Sequence, residues 1–172
     1  MGENTGKGTG LGIVGYDTYE FVVADAERSR RFYRQMMDVP EIARLDEREA
    51  ARRGENAVIF AAGKAQCVCV TPRERGSAAD RWLKRHPDGV RVVGFRVRDV
   101  DAARGVLTER NATLTSDVIT TADGEGRPYR FFEIATPLGD VRFRFVERAA
   151  GALPPGFAPL EPAEEKNANG FQ

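Results

Sequence analysis

The side chains best equipped for chemistry are few and scattered. His86 is the only histidine among 172 residues, and it stands in Arg85-His86-Pro87-Asp88-Gly89, a turn sequence. No carboxylate or thiol is placed by pattern to orient it, so neither a Ser/His/Asp nor a Cys/His scheme assembles; a solvent-facing turn residue is expected. Cys67 and Cys69 sit two apart in the apolar run QCVCV, which reads as strand and turns both thiols to one side. Their Cα atoms would lie about 6.5–7 Å apart, at the limit for a bridge, and a soft-metal quartet lacks its other members, so buried free thiols are expected. Gly6-Lys7-Gly8-Thr9-Gly10 has the composition of a phosphate loop, but no strand precedes it and no apolar helix follows. What remains is a set of polar residues on strands: Thr18, Glu20, Arg96, Arg142 and Arg144. Their alternation with apolar neighbours puts them on one strand face. There the arginines could grip a carboxylate, or Glu20 could pair with Arg96 or Arg144 in a self-satisfied ion network.

The elements that must position these residues come as a repeat. Phe21-Val22-Val23-Ala24-Asp25 lies over Phe95-Arg96-Val97-Arg98-Asp99, an offset of 74 residues, and a helical pattern follows each. In the first copy Tyr19, Phe21 and Val23 alternate with Thr18, Glu20 and Val22; Asp25 then caps a helix whose stripe is Ser29, Phe32, Tyr33 and Met36. That stripe, with Met37, reads as helix-to-sheet packing, and Arg28, Arg30, Arg31 and Arg34 as the helix's solvated side. Pro40 ends the helix. The charged run 41–53 reads as a strand edge plus an exposed excursion, and 56–61 and 65–70 as a hairpin turning at Ala62-Gly63-Lys64. Ser77 caps a short helix through Trp82 and Leu83. In the second copy a strand over 90–97 leads to a helix capped by Asp99 or Asp101, carrying Val100, Ala103, Val106 and Leu107. Strands are predicted at 113–120, 127–135 and 140–147, with turns at Asp123-Gly124-Glu125-Gly126 and Pro137-Leu138-Gly139.

Each copy thus reads strand, helix, three strands. The predicted fold is α+β: two βαβββ modules, about 11–75 and 88–148, forming a half-open eight-stranded barrel with helices outside. Residues 1–10 read as a disordered lead-in, and 149–172, proline-rich and then polar, as a linker or tail. Lys+Arg and Asp+Glu cancel at 26 each, so no basic excess exists to condense on nucleic acid. No apolar run is long enough for a membrane span and no secretory signal is visible, which makes a cytoplasmic protein the expectation.

The order GYDTYEFVVADAERSRRFYRQMM, RHPDGVRVVGFRVRDVDAA, GDVRFRFVER and LPPGF resembles the vicinal-oxygen-chelate (glyoxalase/bleomycin-resistance-like) superfamily. More narrowly, it is similar to the N-terminal, non-catalytic domain of 4-hydroxyphenylpyruvate dioxygenase and hydroxymandelate synthase, over roughly residues 11 to 160. That resemblance implies a parent enzyme converting 4-hydroxyphenylpyruvate to homogentisate in tyrosine catabolism. Its ferrous iron would be held by two His and one Glu in a C-terminal catalytic domain, expected beyond Gln172. The superfamily's ligand positions fall here on Thr18, Val92 and Arg144: a weak neutral ligand, no ligand and a permanent cation. No iron site is therefore expected in this chain, which would serve structure and assembly and hold no cofactor of its own. Its expected partner is the catalytic domain, or a second copy in a homo-oligomer. The alternative is a stand-alone small-ligand binding protein on the same barrel, taking a small carboxylate. A glyoxalase-type metal lyase is contradicted by the same three positions.

Overall fold

The computed structural model describes residues 10–160. The expected lead-in and the Gly6–Gly10 stretch lie outside that range except for Gly10, as does the tail beyond Leu160. One nine-stranded sheet, in the order β6-β7-β8-β5-β1-β4-β3-β2-β9, curls into a half-barrel. The first module contributes β1 (Ile13–Val22), α1 (Ala26–Arg31), β2 (Glu41–Leu45), α2 (Glu47–Arg53), β3 (Glu55–Ala62) and β4 (Ala65–Pro72). After α3 (Ala78–Leu83) the second module follows with β5 (Gly89–Val97), α4 (Val100–Glu109), β6 (Ile119–Ala122), β7 (Pro128–Ala135) and β8 (Arg142–Arg148). The ninth strand, β9 (Phe157–Pro159), comes from the segment expected to be linker. Antiparallel pairing of β1 with β5 joins the modules, and each of these strands is flanked on its other side by a parallel partner, β4 or β8.

The repeat is visible in the caps. Asp25 accepts from the amides of Glu27 and Arg28 at 3.0 Å each, and Asp99 from Ala102 at 2.9 Å, so the aspartate ending each first strand opens each outer helix. Phe21 and Val23 then pack with Tyr33, Phe60 and the two cysteines under α1; Val97, Phe132 and Phe145 pack with Val100, Ala103 and Leu107 under α4. Cys67 and Cys69 are free and buried, and burial pushes the Cys69 thiol up to about 12, which leaves it unreactive.

Four expectations change. The stripe of the first helix breaks into a π-helical turn at Phe32–Met36. That turn keeps Tyr33 stacked on Phe60 at 4.8 Å but leaves Phe32, Met36 and Met37 52%, 77% and 50% exposed, so they do not pack against the sheet. Arg30 is not merely solvated: its guanidinium bonds the buried Glu41 at 2.9 Å, tying α1 to β2. The charged excursion is the helix α2, capped by Asp46, which accepts from Glu49 N at 2.9 Å, and closed by Gly54 at φ 65°. Residues 113–118 are not strand apart from one bridge, Leu114 to Ile134.

The largest correction concerns the tail. Ala152, Leu153 and Phe157 are buried, and β9 pairs antiparallel with β2 through Leu45–Phe157, Arg44–Ala158 and Ala43–Pro159. Phe157 and Leu153 enter the core of Val22, Ile59, Val68, Val70 and Trp82, so the tail fills the hollow of the first module. Gly156 makes the approach possible: its φ is +82°, and a Cβ there would stand 2.7 Å from Glu49 Cγ. Asp123 clamps the tail from the other side, accepting from Arg127 Nε at 2.7 Å and from Leu153 N at 3.3 Å. Burial opposes its charge, but the bonds from Arg127 and the turn amides hold the carboxyl down to about 2. Residues 149–160 therefore belong to the domain. Phe157→Ala should cost about 3–5 kcal/mol in chemical denaturation, and limited proteolysis should leave cleavage sites before residue 160 protected.

Candidate functional site

Strand register decides what the barrel wall contains. Thr18 is level with Gln66 on β4 and Gly94 on β5, and Gly94 is level with Arg144 on β8. Val92 stands one pleat away, level with Glu20 and Arg142. The three positions expected to be vestigial ligands therefore do not share a row: Thr18 and Arg144 do, and the β5 residue between them is a glycine. A Cβ at Gly94 would lie 3.2 Å from Thr18 Cβ, so this part of the wall is packed backbone against side chain.

Across this wall runs a ladder of alternating charges. Arg91 bonds Glu20 at 3.0 Å and Glu55 at 3.3 Å, and Glu55 also accepts from Ala79 N at the start of α3 at 2.8 Å. Arg144 reaches Glu133 at 3.5 Å and lies 5.0 Å over the Phe131 ring. Arg142 approaches the other oxygen of Glu133 at 3.6 Å. Burial alone would raise the Glu20 carboxyl, but Arg91 and Arg144 outweigh it and hold the group below the ordinary carboxylate range. Burial likewise opposes the charge on Arg144, and Glu20 and Glu133 restore it. A second buried pair, Arg148 to Asp17 at 2.7 Å, closes the end of the wall; Thr18 Oγ1 donates to the same Asp17 at 2.9 Å.

Of the five expected cavity residues, Thr18, Glu20, Arg142 and Arg144 belong to this wall. Arg96 does not partner Glu20: it donates to the Arg148 carbonyl at 3.1 Å and lines a separate depression with Tyr16 and Lys64. Glu20's main partner, Arg91, escaped the pattern because β5 bulges there. Glu20 opposes Val92 and Phe21 opposes Val90, leaving Arg91 as the extra residue, free to turn inward against strict alternation. Glu55, Glu133, Asp17 and Arg148 were also missed; a charge within or at the end of a strand was the available signal. His86 does have a carboxylate, Asp140, at 2.7 Å, and its ring lies 4.2 Å from Trp82. It bridges the end of α3 to the turn before β8, half-buried rather than solvent-facing.

A cavity of about 170 Å³ opens beside Arg144. Ile119 and Thr121 of β6 line one side and Pro154, Pro155 and Phe157 the other, so the two edges of the sheet face each other across it. Arg144 Nε, Tyr129 OH, Gln66 Oε1 and Glu133 Oε2 are buried without a hydrogen-bond partner. The metal that the family resemblance implies does not fit this wall. Its row holds a hydroxyl, a glycine, an amide and a guanidinium whose unpartnered Nε can only donate. Among the described residues no three His, Cys, Asp or Glu side chains gather as metal ligands would.

Comparison with known proteins agrees with this architecture. A family model described as Glyoxalase/Bleomycin resistance protein/Dioxygenase superfamily matches residues 19–131, and the chain belongs to that superfamily. Among solved structures, methylmalonyl-CoA epimerase from Mycobacterium tuberculosis is 20% identical with a TM-score of 0.63, over 80% of this chain and 90% of that one. Streptomyces coelicolor methylmalonyl-CoA epimerase, in complex with 2-nitronate-propionyl-CoA, is 19% identical with a TM-score of 0.65, over 80% and 99%. A hypothetical protein from Bacillus halodurans is 14% identical at 0.63, over 81% and 97%. These likenesses show the fold. They name epimerases, not 4-hydroxyphenylpyruvate dioxygenases, so the narrower resemblance rests on sequence motifs alone. No curated protein matches the chain by sequence. No described helix is long and apolar enough to cross a membrane.

The ladder makes stability depend on acid in a definite direction. Glu20 is held below its unfolded value of about 4.3, so its contribution is complete above that pH and is lost as pH falls through the folded value. Glu20→Gln should flatten the acid limb of a denaturation series below about pH 4 and cost about 3 kcal/mol at pH 7, because Arg91 loses its closest carboxylate. Arg148→Ala should cost about 3–5 kcal/mol by leaving Asp17 buried and uncompensated.

Proposed function

We propose that this chain is the metal-free, non-catalytic module of a two-module dioxygenase of the 4-hydroxyphenylpyruvate type. The observation that carries this reading is the charged ladder itself. Where a metal-dependent member would present ligands to an open wall, this wall presents Arg144 between Glu20 and Glu133, with the 152–157 segment packed into the hollow. The motif order from GYDTYEF to LPPGF supports the dioxygenase parent in particular. In such an enzyme, iron(II), oxygen and the aromatic 2-oxo acid would be handled by the partner module. This one would supply a rigid body for it, or for a second copy, to pack against.

A second reading has its own support: the unpartnered Arg144 Nε beside a 170 Å³ cavity suits a small carboxylate in a stand-alone binding protein. Calorimetric titration with 4-hydroxyphenylpyruvate separates the two. The module reading expects no saturable binding and less than about a tenth of an equivalent of iron or zinc after purification. It also expects a stable complex on gel filtration when the chain is co-expressed with the iron-binding module of such a dioxygenase. Stoichiometric metal, or failure to form that complex, would overturn it; saturable carboxylate binding without a complex would establish the alternative.

A further inference from the structure

A second depression, of about 250 Å³, lies at the rim of the half-barrel, away from the Arg144 cavity. Arg81, Arg85, Arg91 and Arg142 line it, against a single carboxylate, Asp140, with Trp82 as its aromatic wall. Glu20, Glu55 and Glu133 approach Arg91 and Arg142 from the wall behind, so the charge that the rim presents comes from Arg81, Arg85 and the loosely held Arg142. Arg81 and Arg85 are four residues apart on α3 and the turn that continues it, a spacing that puts them on one side. That turn is held by bonds from Arg85 N and His86 N to the Trp82 carbonyl at 3.0 and 2.9 Å, and β8 brings Arg142 to meet it.

The arginines of this rim are unevenly committed. Arg91 is saturated by Glu20 and Glu55. Arg81 gives one N–H to the Gly76 carbonyl. Arg85 reaches Asp140 only at 3.7 Å and is 65% exposed, while Arg142 reaches Glu133 only at 3.6 Å. Both distances are beyond hydrogen-bond range, so these forks keep donors available for another acceptor. Asp140 itself is engaged by His86 at 2.7 Å, which holds the lone acid against the α3 turn. We propose that this rim binds a dianionic oxyanion, the phosphoryl group of a small metabolite, with Arg85 and Arg142 supplying paired N–H donors and Arg81 the flanking charge. The depression has the volume of roughly eight waters, enough for a phosphoryl group and the atoms nearest it. The site is independent of the proposed dioxygenase role, because it uses neither the Arg144 cavity nor a partner module.

Trp82 is the only tryptophan and walls this depression, so its fluorescence responds to occupancy here, while the rim variants separate that signal from changes in the core it also joins. Titration of the full chain with inorganic phosphate at low ionic strength should give a saturable change. Arg85→Ala should weaken it about tenfold, the loss of one charge-assisted contact. Asp140→Asn should tighten binding severalfold by removing the opposing charge. Glycerol 3-phosphate, which carries the proposed phosphoryl group as an ester, should bind at least as tightly as phosphate. A linear response matched by chloride at equal ionic strength would overturn the proposal. So would an affinity that neither Arg85→Ala nor Asp140→Asn changes while circular dichroism shows both variants folded.

Discussion

The bond between Arg91 and Glu20 is the constraint on which the barrel wall turns. It crosses the β1–β5 seam, the place where two repeats of one pattern become a single sheet. Both groups are nearly enclosed, and neither charge is tolerable there alone. Their pairing recruits Glu55, which in turn receives an amide from the start of α3, so the element linking the modules is tied to the seam. From Glu20 the electrostatic chain continues through Arg144 to Glu133 and Arg142. A wall that in metal-dependent relatives must stay open for a cation here supplies its own cations. The superfamily fold is kept, and its inner wall is held together by paired charges.

The same wall explains why the tail matters. A half-barrel with an empty hollow exposes apolar strand faces on its inside, and Val22, Ile59, Val68 and Val70 are such a face. Leu153 and Phe157 cover it, and Asp123 and Gly156 are the polar and steric conditions for that closure. The two edges of the sheet are thereby brought to either side of one small cavity, which limits any occupant to a small molecule. Arg81 and Arg85 at the rim lie outside this closure and remain open to solvent, whereas Arg91, which also borders the rim depression, stays enclosed in its ion pairs.

The residues alone determined the repeat, the Asp25 cap, a second cap at Asp99 or Asp101, and the alternation that sets Thr18, Glu20, Arg142 and Arg144 on one strand face. These follow from short-range rules: period-two alternation, helix capping and the chemistry of individual side chains. Tertiary structure decided the rest. Arg91 turned inward because a bulge broke the alternation, and Arg96 left the wall for the Arg148 carbonyl. Phe32 and Met36 were exposed by a π-helical turn that shifts their angular position. Pro154-Pro155-Gly156-Phe157 has the composition of a linker, yet it became core because the hollow facing it was apolar and close. Local pattern states which way a side chain points from an ideal strand or helix; register, bulges and the shape of a distant surface decide what it meets, and these exist only once the chain has closed on itself.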